Sequence, residues 1–231
     1  MVGTRLTCDT MLSRMVEHEI GRSRVLKKRE DKGVATRYEL DRARKVLELL
    51  PTDMQNKKVL DVGCGLGTCI KLLSDRGAQC VGIDLFCEGQ DVIKFDLNSG
   101  PLPLEDEGYD VVICTDVLEH LFYPHFTLLE IKRVLRDSGT AIISLPNEFN
   151  VISRIRILLG KRISDEFDFD SYGHHYFPTI EQIRRFVETE FRIIDQRYQL
   201  LGGRERFVGY FLQWTRTNLG VASLIMKCMK R

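Results

Sequence analysis

At 231 residues and 26.7 kDa the chain can bury a full hydrophobic core, in one large domain or two small ones. Apolar residues at 43% and charged residues at 29% exclude disordered, collagen-like and coiled-coil classes. No apolar run reaches the ~18 residues of a spanning helix. The net charge of +1 conceals an uneven spread. Residues 1–50 carry 12 Lys and Arg against 8 Asp and Glu, and residues 201–231 carry 6 against 1. The middle, 51–200, carries 16 against 24, so an acidic centre suited to a cationic ligand lies between basic flanks.

The first stretch, MVGTRLTCDTMLSRMVEHEIGRSR, mixes charges throughout and has no apolar h-region, so no secretory signal is expected there. Seven scattered cysteines (Cys8, Cys64, Cys69, Cys80, Cys87, Cys114 and Cys228) without a C-x-x-C pair fit a reduced, cytoplasmic setting. RYELDRARKVLELLP reads as an amphipathic helix ended by Pro51, and residues 1–50 are expected to form a helical cap on the main domain, 51–231. From Asn56 the chain alternates β-rich runs with helical patterns, as in an α/β fold with a largely parallel sheet. Strands are expected at 57–62, 79–84, 91–95, 109–115, 140–146, 191–200 and 221–229. GTCIKLLSDRG reads as a helix stopping at Gly77, and HFTLLEIKRVLRDSG as one stopping at Gly139. TIEQIRRFVETEF opens with Thr179 at the N-cap and Gln182 at the capping-box position.

Residues 147–178 exceed ordinary connection lengths and, with the N-terminal helices, are expected to form a lid over a binding site. They concentrate Phe167, Phe169, Tyr172, His174, His175, Tyr176 and Phe177, which can wall an apolar pocket. Arg154, Arg156, Lys161 and Arg162 suit either an anionic substrate group or an ordinary amphipathic helix built on Ile155, Ile157, Leu158 and Leu159. Near the C-terminus, Phe207, Tyr210, Phe211 and Trp214 cluster beside cations, so 204–218 is either a packed helix or a membrane- or substrate-facing surface.

The strongest signal is VLDVGCGLGTCIKLL. A strand ends near Asp61, and Gly63, Gly65 and Gly67 turn the chain into a helix while letting backbone approach a ligand. Asp84 ends the second strand, where a carboxylate can accept both hydroxyls of a ribose. Asp96 follows at the end of the third.

The run D-x-G-x-G-x-G at 61–67 resembles motif I of class I S-adenosylmethionine-dependent methyltransferases, whereas the nicotinamide fingerprint is G-x-G-x-x-G. The resemblance continues through VGIDL, FDLNSGPLPLEDEGYDVVICTDVLEHL, EIKRVLRDSGTAIISLPN and GHHYFPT, about residues 57–200. Within that superfamily the chain is most similar to the small-molecule group that includes ubiquinone-pathway O-methyltransferases. The resemblance implies a Rossmann-like sheet of seven mostly parallel strands with helices on both faces, a helical N-terminal extension and a lid after the fifth strand. It implies S-adenosyl-L-methionine as cofactor. Asp61 and the turn Gly63, Cys64, Gly65 and Gly67 would hold its methionine end, with Thr115 beside them. Asp84 and Leu85 would meet the ribose, and Asp96 and Leu97 the adenine.

The expected acceptor is a hydroxyl of a small molecule, lipid or glycan. RNA or protein methylation, or a non-catalytic binding subunit, is the alternative. No N/D-P-P-Y/F run, Pro-Cys pair or RNA-binding module argues for nucleic acid. His174, His175 and His120 are the candidate catalytic residues; His174 is a base, a substrate contact or a lid anchor. In some ubiquinone-pathway enzymes an acid-x-x-Glu-His cluster binds a divalent metal, and Asp116, Glu119 and His120 stand at those places. The favoured reading is that Glu119 and His120 brace the loop and no metal is held.

Overall fold

A computed structural model describes residues 36–87, 91–161, 174–201 and 218–231. Cys8, Phe167, Phe169, Tyr172, Arg162, Phe207, Tyr210, Phe211 and Trp214 lie outside the described residues.

The elements follow in chain order as α1 (Arg37–Leu49), β1 (Lys58–Val62), α2 (Thr68–Ser74), β2 (Gln79–Asp84), β3 (Val92–Lys94) and β4 (Tyr109–Thr115). A 3-10 turn (Leu118–His120), α3 (Pro124–Val134), β5 (Leu135–Pro146), α4 (Val151–Leu158), α5 (Ile180–Val187), β6 (Phe191–Leu200) and β7 (Val221–Lys230) complete them. The sheet order is β3-β2-β1-β4-β5-β7-β6. The first five strands run parallel and β7 is antiparallel to both neighbours.

Alternation along the strands splits the core into two layers. Leu60, Val62, Val112, Cys114, Ile143 and Met226 face one side, where Leu128 and Ile131 of α3 and Ile183 and Val187 of α5 cover them. Val59, Ile113, Ile142 and Ile225 face the other, under Ala43, Val46 and Leu49 of α1 and Leu73 of α2. α1 therefore belongs to the core of this domain. Its start is fixed by a capping box, in which the Thr36 hydroxyl accepts from the Glu39 amide and the Glu39 carboxylate accepts from the Thr36 amide. The capping box expected at Thr179 and Gln182 is present.

Three boundaries depart from the sequence pattern, the first being α2, which ends at Ser74 and reaches Gly77 through a turn. The helix expected to stop at Gly139 ends at Val134, and the chain enters β5 at Leu135. Leu135 continues the helical spacing, but it pairs with Tyr109 across the sheet and is fully buried there. The third strand ends at Lys94, so Asp96 stands two residues beyond it in a turn. No described helix is long and apolar enough to cross a membrane.

Candidate active site

The strand order reverses between β1 and β4, and open α/β sheets bind ligands at the carboxyl ends of strands beside such a switch point. The glycine turn after β1 lies there. Gly63, Gly65 and Gly67 all have φ between 53° and 72°, the left-handed region that favours glycine. Gly63 is fixed twice over, because a Cβ there would stand 2.3 Å from Val117 Cγ2. The loop after β4 is thus packed directly on the turn. A Cβ on Gly65 would meet nothing within 4 Å, so its backbone borders open space.

Asp84 organises the turn from β2. One carboxylate oxygen accepts from the Gly65 amide at 2.9 Å, and the other accepts from Phe86 at 2.8 Å and Cys87 at 3.2 Å. The carboxylate the sequence nominates for a ribose therefore also shapes the glycine turn. Leu85 follows it, half-buried. Asp96 accepts from the Asn98 amide through its carboxylate and from Ser99 through its carbonyl, which fixes the turn carrying Leu97. Cys64 and Thr115 are both buried at 8% exposure, Cys64 within the turn and Thr115 at the end of β4.

Asp61 is 4% exposed, and burial, with Asp84 adding and Arg42 opposing, pushes its carboxyl up to about 7. Between its ordinary value of 3.8 and about 7 the folded chain holds a proton that the unfolded chain has released. Stability should therefore fall as pH rises from about 4 to about 7, then level off. Thermal melts of the ligand-free protein should show this slope, and Asp61→Asn should flatten it. A cation bound beside Asp61 favours the ionised form, so affinity for an ammonium-bearing ligand should rise across the same window.

Asp116 takes a different course from its neighbours. Its φ of 52° is unusual for a non-glycine residue, and its carboxylate turns toward α1. There it accepts from Arg42 at 2.5 Å, from Ser144 of β5 at 2.6 Å and from Ser223 of β7 at 3.2 Å. Committed to these three partners, Asp116 does not join Glu119 and His120, and the acid-x-x-Glu-His trio does not form.

His174 takes that place. Its Nε2 lies 4.0 Å from Glu119 Oε1, and His120 Nε2 lies 3.9 Å from the same oxygen. The two imidazoles meet edge to face at 4.6 Å. His174 Nδ1 is paired with Glu148, a residue of the turn after β5. Glu119 is fully buried, yet neither carboxylate oxygen meets a hydrogen-bond donor from another residue. Burial, with Asp116 adding, pushes its carboxyl well above the usual range. Such a group does not brace a loop through its carboxylate. The bracing runs through its backbone carbonyl, which accepts from the His175 amide at 2.8 Å. The His175 ring is exposed and stacks on Phe122, away from the imidazole pair.

Glu148, Arg42, Ser144 and Ser223 were not singled out by the sequence. Glu148 carried one usable signal, an acidic residue just past a buried strand of the parallel sheet. The others act through contacts as distant as 107 positions, which local patterns do not encode.

The 3-2-1-4-5-7-6 sheet thus carries a glycine turn and, at the end of β2, a carboxylate beside its switch point. Residues 34–193 match the methyltransferase domain family, and the chain belongs to it. A ubiquinone biosynthesis O-methyltransferase of Aeromonas salmonicida is 32% identical over 146 residues, covering 58% of this chain and 61% of that protein. A bifunctional methionine biosynthesis protein of Rhodopirellula baltica is 30% identical over 173 residues, covering 65% of this chain and 27% of that protein. The chain spans about half the length of the curated relatives it matches. Among solved structures, an S-adenosylmethionine-dependent methyltransferase from Archaeoglobus fulgidus shares the fold at TM-score 0.60 and 21% identity, covering 84% of this chain and 94% of that one.

Proposed function

We propose that the chain transfers a methyl group from S-adenosyl-L-methionine to a hydroxyl of a small-molecule, lipid or glycan acceptor. The observation that carries this reading is the Glu119–His120–His174 cluster, in which Glu119 and His174 are buried and the first two residues stand on the loop whose Val117 packs against the turn at Gly63. A hydroxyl acceptor must lose a proton during attack, and this cluster supplies groups able to receive it. S-adenosyl-L-methionine, when bound, supplies a methyl already activated by the sulfonium. The chain's own residues then have two tasks.

The first is to hold the donor. Asp61 and the backbone of Gly63–Gly67 would take the ammonium end, Asp84 the ribose, and Asp96 with Leu97 the adenine. The residues fit: burial holds the Asp61 carboxyl up at about 7 despite Arg42, so an ammonium beside it would favour its ionised form, and Gly65 leaves open space beside its backbone. The second task is alignment of the acceptor, which can contribute ~7–11 kcal/mol by positioning alone. His174, oriented by Glu148 and buried at 8% exposure, and His120 on the more open side would face that acceptor. The described parts of the expected lid, residues 147–161 and 174–178, would border the acceptor, and residues 162–173 lie outside the described residues.

The experiment is a tritiated-methyl assay on cell extract divided into lipid, glycan, small-molecule, protein and nucleic-acid pools. Label in one of the first three supports the reading. Label in the protein or nucleic-acid pool overturns it, and so does label in none.

A further inference from the structure

We propose that Arg42 of α1 is a positioning residue for the methyl donor: through Asp116 it fixes the backbone that seats Val117 on the turn at Gly63. The contacts run without a break. Arg42 donates to Asp116 Oδ2 at 2.5 Å, and Asp116 precedes Val117 in the chain. Val117 lies so close to Gly63 that a Cβ there would stand 2.3 Å from Val117 Cγ2. In this role Arg42 needs no contact with the cofactor.

Asp116 is where the chain of contacts needs support. Its φ of 52° lies in the left-handed region, which costs free energy in a residue with a side chain and persists only where the surroundings over-determine it. The carboxylate supplies that constraint. One oxygen accepts from Ser144 of β5 at 2.6 Å and from Ser223 of β7 at 3.2 Å, and the other accepts from Arg42. The serines tie Asp116 to the sheet, and Arg42 ties it to the helix layer. α1 is itself anchored by the buried Ala43, Val46 and Leu49, so the guanidinium is delivered from a fixed base. The paired side chains are 20% and 14% exposed, a setting in which salt screens an ion pair weakly.

Arg42 also serves a second carboxylate. At Asp61 its charge opposes the effect of burial and favours the ionised form, which suits a donor bearing an ammonium. Asp84 of β2 faces Asp61 too, and its charge works the other way. The thiols of Cys64, Cys69, Cys80 and Cys114 share that surrounding, and burial raises all four, which keeps them neutral. Losing Arg42 should therefore move the ionisation of Asp61 to higher pH, whereas losing Asp116 should not.

The inference rests on the donor binding at the 61–67 turn, so one readout uses the ligand-free chain. Hydrogen exchange of the 63–67 amides should quicken about tenfold in Arg42→Ala and in Asp116→Ala. Calorimetry with S-adenosyl-L-methionine should show both variants binding about tenfold or more weakly, and the double variant within about threefold of the weaker single, because the two residues act as one unit. The rise of affinity with pH should move upward in Arg42→Ala and should not in Asp116→Ala. Arg42 reaches Asp116 through Nη1, so Arg42→Lys keeps both the charge and a donor, and it should restore exchange, affinity and pH profile. Circular dichroism of each variant separates lost positioning from lost fold. Unchanged exchange in both alanine variants would overturn the proposal. So would weak binding in Arg42→Ala beside full affinity in Asp116→Ala, which would put Arg42 on the cofactor itself. Faster exchange with unchanged affinity would also overturn it, and Asp84→Ala, run in parallel, tells the two failures apart: if that variant too binds normally, the donor does not sit at this turn.

Discussion

Asp84→Ala should weaken S-adenosyl-L-methionine binding by roughly 30- to 1000-fold, the equivalent of about 2–4 kcal/mol, read by titration calorimetry. The range follows from losing two charge-assisted hydrogen bonds to a ribose, at ~1.5–3 kcal/mol each with partial replacement by water. The structure adds a second route to the same loss. Asp84 accepts from the amides of Gly65, Phe86 and Cys87, so alanine also frees the turn that must present its backbone to the cofactor. Asp84→Asn separates the two routes, since it keeps the shape and one acceptor oxygen but loses the charge. Unchanged affinity in Asp84→Ala would remove the residue from the site.

His174→Ala should lower turnover by about 100-fold or more while leaving cofactor affinity within a few-fold of wild type. Groups that manage a proton in the transition state contribute about 10²–10⁴ in rate. His174 also sits in the Glu119–His120 cluster and not among the carboxylates around the glycine turn. His175→Ala is the internal comparison. Its exposed ring stacks on Phe122, and turnover should stay within a few-fold. Equal turnover in wild type and His174→Ala would mean that the cluster takes no part in acceptor activation. Weakened cofactor binding in His174→Ala would instead couple it to the donor side.

Much of the architecture was legible because strands and turns leave local marks. β2, β4 and β6 occupy the residues that their β-rich runs delimit, and the Thr179–Gln182 capping box stands where its spacing placed it. The Thr36–Glu39 box carries the same T-x-x-E signal at the head of α1. Leu135 was misread because its apolar side chain serves a helical spacing and a strand equally well, and only the pairing with Tyr109 decides between them. In the site, Asp84 and the glycines could be read from spacing along one βαβ unit. Asp116 could not: its partners Arg42, Ser144 and Ser223 come from three separate elements, and they turn it away from the neighbours that sequence proximity suggested. Glu148 and His174 meet across 26 positions, a pairing set by where β5 ends. The glycine turn with Asp84 is thus legible because its contacts are local, and the Glu119–His120–His174 cluster with Glu148 is not, because it is assembled from separate segments.

The most direct test is calorimetric titration of the wild-type chain with S-adenosyl-L-methionine and, in parallel, with a nicotinamide dinucleotide. Both cofactors use a glycine turn and a ribose-binding acid on this kind of sheet, so the comparison isolates what the 61–67 turn and Asp84 select. The expected result is one S-adenosyl-L-methionine bound per chain, with affinity rising from pH 5 toward about 7 as Asp61 ionises, and no heat from the dinucleotide. Binding of the dinucleotide in preference, or of neither ligand, would contradict the account.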